Sequence, residues 1–131
     1  MRIRLSSVLV NDQAKALKFY TEVLDFVKKR DIPMGDARWL TLVSPEEPEG
    51  TEFVLEPDAN PSLHGAAKKL KEALYGQGIA WTAFAVEGIQ SEYERLKRLG
   101  VAFTLEPTPM GEATIAVLDD TYGNLIQIYQ V

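Results

Sequence analysis

The 131-residue sequence has no cysteine and a single histidine, His64. Without thiols there is no disulfide framework, no thiol nucleophile and no thiolate metal site. A Ser/His/Asp arrangement would have to use His64, and no motif supports one. His64 falls at the start of a helical segment and reads as a surface residue. No run approaches the roughly 18 apolar residues of a membrane span, so no membrane partner is expected. The opening Met1-Arg2-Ile3-Arg4 leads straight into a strand-like pattern, with no apolar leader segment. That gives the expectation of a cytoplasmic protein. No Gly-rich phosphate loop occurs. Positive charge is also scarce: 14 Lys and Arg against 19 Asp and Glu leave a formal charge of −5. Such a surface repels phosphate backbones, which argues against nucleic acid and favours a cationic ligand. The same charge also serves solubility.

What is present is an ordinary globular composition, 46% apolar, in a chain long enough to bury a core without staples. Residues 3–10 alternate and are rich in β-formers. Asn11-Asp12 then supplies an N-cap for a helix over 13–24, with Ala16, Leu17, Tyr20, Val23 and Leu24 as its apolar stripe. A short strand at 26–28, a loop around 31–35 and strands at 38–43 and 52–56 follow. Asn60-Pro61 opens a further helix that ends at Gly76. The pattern then restarts: strand 79–86, a helix marked by Ile89, Tyr93, Leu96 and Leu99, and strands at 101–105, 114–118 and 125–129. The segment 107–111 reads as a loop.

These elements predict an α+β fold of two βαβββ modules, 1–57 and 79–131, joined by a linker helix over 60–76, all within one domain spanning 1–131. The copies superpose in order and phase. Val10 matches Val86, and Leu17, Tyr20 and Val23 match Tyr93, Leu96 and Leu99, at a separation of 76. Leu40 and Leu42 are laid on Ile115 and Val117, with the separation drifting down later in the repeat.

Two stretches carry a family resemblance. Val10-Asn11-Asp12, then Ala16, Phe19, Tyr20 and Val23-Leu24-Asp25-Phe26, resemble the opening of the glyoxalase/bleomycin-resistance/extradiol-dioxygenase (vicinal-oxygen-chelate) superfamily, although Asp25 stands where glycine is usual. Asp119-Asp120-Thr121-Tyr122-Gly123-Asn124-Leu125-Ile126-Gln127 resembles its close. The resemblance implies curled sheets whose concave faces enclose a pocket. In metal-dependent members it implies one ligand on the first and last strand of each module. Carried over, those positions are Leu5, Phe53, Trp81 and Gln127; the Phe53 register is the one open to a slip of one residue.

Catalytic divalent metals require imidazole, carboxylate or thiolate donors. Leu5, Phe53 and Trp81 offer none, and Gln127 offers one neutral amide. No metal and no cofactor are therefore expected. Glu52 and Glu56 have the opposite parity to Phe53 and would point in only if the register slipped. What remains is an aromatic pocket: Trp39, Phe53 and Trp81, with Ser7, Gln127 and Tyr129 as hydrogen-bonding points and Met110 in a loop at its mouth. The bland alternative is that these aromatics fill a core. The leading function is binding or sequestration of a small organic molecule by a homodimer, as the resemblance to the bleomycin-resistance branch implies. The alternatives are an enzyme of the superfamily (a lactoylglutathione lyase-like protein, an isomerase or a dioxygenase) and a structural dimer with a vestigial cavity.

Overall fold

The alternating segments pair into two sheets, and the computed structural model describes residues 1–131 throughout. The chain divides into two units, Met1–Lys71 and Glu72–Val131. The first holds β1 (Leu5–Val10), α1 (Gln13–Lys18), β2 (Val27–Met34), β3 (Ala37–Val43) and β4 (Glu52–Pro57). Helix α2 (Ala66–Gly76) straddles the boundary. The second unit holds β5 (Ala80–Ala85), α3 (Ile89–Arg98), β6 (Phe103–Met110), β7 (Ala113–Asp119) and β8 (Leu125–Gln130). Each unit forms a four-stranded mixed sheet, ordered β1-β4-β3-β2 and β5-β8-β7-β6. The α+β class and the duplicated βαβββ order are thus as the sequence predicts.

Each sheet is covered by its own helix on one face. In the first unit Val8, Val10, Leu40, Leu42, Phe53 and Leu55 turn to that face and are buried with Ala16 and Tyr20. In the second, Ala116, Leu118, Ile126 and Ile128 are buried with Ile89 and Leu96. Full burial of a Leu or Ile side chain contributes about 1.5–3 kcal/mol, so these helix faces account for the cohesion of each unit.

Several boundaries differ from the sequence expectation. The helix over 13–24 is α-helical only to Lys18; Phe19–Val23 forms a wider π turn, and Asp25 ends the segment at φ 65°. The linker helix over 60–76 is broken. A 3₁₀ turn at Pro61–Leu63 is followed by His64 and Gly65 at φ 49° and 77°, where a right-handed helix cannot continue. The expected loops around 31–35 and 107–111 are instead the ends of strands β2 and β6. Proline is tolerated there because both are edge strands, where a missing N–H need not interrupt a ladder. Each hairpin then turns in two residues, with Gly35 at φ 62° and Gly111 at φ 63°. The flanking sequence, Pro33-Met34-Gly35-Asp36-Ala37, recurs as Pro109-Met110-Gly111-Glu112-Ala113. This repeat is a strong local signal of the duplication, and reading the two segments as separate loops conceals it.

Candidate functional site

The face of each sheet turned away from its helix is where polar and aromatic side chains collect. In the first unit the register places Leu5 beside Glu52, Ser7 beside Val54, and Leu9 beside Glu56. Thr41 pairs with Val54 and with Arg30, and Trp39 pairs with Ile32. Alternation along each strand puts Trp39, Thr41, Glu52, Val54, Glu56 and Ser7 on this open face.

Phe53 therefore does not stand where the sequence placed it. It is buried on the helix side, its ring 5.9 Å from that of Tyr20 and 6.3 Å from that of Phe26. The cause is the length of one connection. Residues 44–51 join β3 to β4, whereas only 120–124 join β7 to β8. The repeat offset stays at 76 through β7 and then falls by three, so Val54, not Phe53, is the counterpart of Gln127. An offset wrong by one residue exchanges the faces of a strand. It also explains why Leu40 and Leu42 correspond to Ala116 and Leu118 rather than to Ile115 and Val117.

The slip brings two carboxylates to the open face. Glu52 Oε1 accepts from Thr41 Oγ1 at 2.7 Å and from Arg30 Nε at 2.9 Å. The Thr41 hydroxyl, and then the guanidinium, hold the Glu52 carboxyl below its usual range. Thr41 is fully buried, so this bond satisfies a hydroxyl that would otherwise lose its water. Glu56 stands apart: Asn60 Nδ2 donates to its Oε1 at 2.7 Å, and no cationic side chain pairs with it.

Between Trp39 and Glu56 the sheet parts. Strands β3 and β4 pair only at Thr41–Val54 and Leu42–Phe53. Beyond that point the amide of Gln13, the first residue of α1, spans them. Its Nε2 donates to the carbonyls of Arg38 and Leu55, both at 2.8 Å, and its Oε1 accepts from Arg38 N at 3.1 Å. The Arg38 side chain is turned elsewhere, into a bidentate pair with Asp31 at 2.9 and 2.6 Å.

The open face of the second sheet is more apolar. Ala83, Gln127, Val117 and Leu105 form one row, and Ala85, Tyr129, Ile115 and Thr108 the next. Trp81 stands on the edge strand β5 with 75% of its surface exposed, and Met110 ends β6 at the hairpin tip. The sequence-derived residues Trp39 and Ser7 thus share the first open face, and Trp81, Gln127, Tyr129 and Met110 share the second.

Neither face has a metal-binding donor set. The positions matched by the repeat are Leu5, Val54, Trp81 and Gln127, and no group of three His, Cys, Asp or Glu side chains converges anywhere. Glu52 is committed to Thr41 and Arg30. These residues do not fit the metal that other members of the fold carry. No helix is long and apolar enough to cross a membrane.

Comparison with known proteins agrees with this architecture. The uncharacterized protein YurT of Bacillus subtilis (strain 168) is 55% identical over 130 residues, covering 99% of both chains. The solved structure of UcmS2 is 32% identical with a TM-score of 0.84, covering 98% of this chain and 97% of that one. TnmS3, an antibiotic-binding protein from Streptomyces sp. CB03234, is 25% identical with a TM-score of 0.77, covering 99% and 95%. The model of one family matches residues 2–128, and the chain belongs to that family, the Glyoxalase/Bleomycin resistance protein/Dioxygenase superfamily.

Proposed function

We propose that this protein binds and sequesters a small organic molecule on its open sheet faces, acting as a cytoplasmic homodimer. The observation that carries the reading is the composition of those faces. A half-buried indole (Trp39), an exposed one (Trp81) and aliphatic side chains surround a few hydrogen-bonding groups, among them Ser7, Gln127 and Tyr129, which is the usual make-up of a small-molecule site. The likeness to an antibiotic-binding protein supports it. So does the exposure of Ile3, Leu5, Ile32 and Met34 in one unit and of Ile79, Trp81 and Met110 in the other, since large exposed apolar side chains mark surfaces that bind.

A second reading, a metal-independent lyase or isomerase, draws on one specific feature. Glu56 stands on an open face unpaired by any cation, where a general base would stand. One experiment separates the two. The protein is titrated with a panel of aromatic antibiotics and metabolites, binding is followed by thermal shift, and the bound compound is then released and weighed by mass spectrometry. Sequestration gives a saturable shift and returns the compound unchanged. A compound returned with altered mass or isomeric form makes the protein an enzyme. No shift by any compound at millimolar concentration refutes small-molecule binding. Sedimentation at micromolar concentration tests the dimer, and a single species of 14.6 kDa would reject it.

A further inference from the structure

Three observations on the first unit converge on one place. The strands part between Trp39 and Glu56, and the Gln13 amide bridges the gap. Trp39 stands beside Ile32, which is 49% exposed, and Met34, at 59%, continues the same face to the hairpin tip. Of the two carboxylates on this face, Glu52 is paired with Arg30, whereas Glu56 accepts from Asn60 and has no cationic partner. The whole chain is acidic, at −5.

We propose that the parted end of β3 and β4 is a site for a planar aromatic cation, with Trp39 as the stacking surface and Glu56 as the counter-charge. This rests on the small-molecule reading above and names its ligand class. An indole face is the best aromatic partner for a cation, and a carboxylate beside it adds a charge-assisted hydrogen bond to a ring nitrogen or amino group. Met34 and Ile32 supply the flanking apolar wall, and an unbranched thioether adapts to rings of different outline. Gln13 acts as a positioning residue. Its amide replaces the strand pairing that would otherwise close the gap between the two banks.

The test is isothermal titration calorimetry with three flat tricyclic probes: proflavine as the cation, acridone as the neutral ring and anthracene-9-carboxylate as the anion. Proflavine is expected to bind at least tenfold tighter than acridone, and the anion weakest. Glu56→Gln keeps an oxygen to accept from Asn60, so the unfolding midpoint should hold. The preference for proflavine over acridone should then collapse to within about twofold. Trp39→Phe should weaken both rings, and Trp81→Phe neither. Equal binding of proflavine and acridone to the unaltered protein overturns the cation preference while leaving a small-molecule site. Binding lost with Trp81→Phe but not with Trp39→Phe places the ligand on the other unit and overturns this site, with the general reading intact. No binding of any probe at millimolar concentration overturns this inference. The antibiotic and metabolite panel then decides the broader reading by itself.

Discussion

Removing the positive charge of Lys71 should be among the most damaging single changes in the first unit. Its ammonium lies 2.6 Å from Asp58 Oδ2, and the two side chains keep only 6% and 8% of their surface exposed. The pair joins α2 to the end of β4, where Asp58 N also donates to Val10 O at 3.0 Å. In Lys71→Met the stem is replaced by a side chain of similar length, but the Asp58 carboxylate is left buried without its cation. Breaking a buried pair from one side typically costs about 3–5 kcal/mol. Against a total stability on the order of 5–15 kcal/mol, that is at least about a fifth.

The assay is urea unfolding in a Trp81→Phe background, which leaves Trp39 as the only indole and so reports the first unit alone. With a urea slope of about 2 kcal/mol/M, the midpoint should fall by roughly 2 M. The companion variant Lys71→Met/Asp58→Leu removes both charges and should recover most of the loss, because replacing a buried pair with apolar groups is often neutral. A midpoint shift below about 0.5 M for Lys71→Met, or a double variant no better than the single one, would show that water reaches the carboxylate. The reasoning from burial would then fail.

Two further outcomes follow from backbone and charge. Thr121 is β-branched yet sits at φ 64°, and its backbone N–H donates to Asp119 Oδ1 at 2.8 Å, a bond that glycine keeps. Relief of about 1–2 kcal/mol of left-handed strain, less the extra freedom of an unfolded glycine, about 0.4–1 kcal/mol, leaves Thr121→Gly more stable. Its thermal midpoint should rise by about 2–4 °C, and a fall would contradict the strain argument. The Asp31 carboxyl is lowered from 3.8 to about 2, mainly by its hydrogen bond to Arg38. A depressed carboxylate contributes stability above its unfolded value and loses it as pH falls toward the folded one. The difference in stability between the unaltered protein and Asp31→Asn should therefore be constant above pH 5 and shrink from about pH 4 to 2. A difference that persists at pH 2 would show that the pair is not what lowers Asp31.

The duplicated βαβββ order was legible because it rests on apolar periodicity, and the helix faces preserve that periodicity in both copies. Three kinds of feature were not legible. The breaks at Phe19–Val23 and His64-Gly65 depend on local backbone geometry that an apolar stripe does not reveal. Strands β2 and β6 run to their hairpin tips through prolines that a sequence reading takes as loop punctuation; only their edge position makes those prolines harmless. The face of Phe53 turned on one residue of register, decided by the unequal connections 44–51 and 120–124. Trp39, Gln127 and Tyr129 reach the open faces by alternation along their strands. In the sequence, Glu52 and Glu56 face inward only on a slip of one residue, and the strand pairing supplies that slip.

Comparing equivalent positions of the two units separates what holds the fold from what gives each face its chemistry. On the helix side, Val10, Tyr20, Leu42, Phe53 and Leu55 correspond to Val86, Leu96, Leu118, Ile126 and Ile128: apolar against apolar at every position. On the open side, Leu5 answers to Trp81, Ser7 to Ala83, Trp39 to Ile115, Thr41 to Val117, Val54 to Gln127 and Glu56 to Tyr129. Charge, aromaticity and hydrogen-bonding capacity differ there in nearly every pair. Packing against a helix accepts only apolar side chains of suitable volume, so the helix faces stay alike. The open faces lack that constraint and differ freely, one carrying two carboxylates beside Trp39, the other apolar around Gln127 and Tyr129 with Trp81 at its edge. Met34 and Met110 are the exception, the same residue at both hairpin tips and equally exposed at 59%. The two-residue turns require their glycines, but nothing in that geometry requires a thioether beside them. A flexible apolar side chain kept at both tips, where burial does not demand it, is what contact with varied apolar ligands would use.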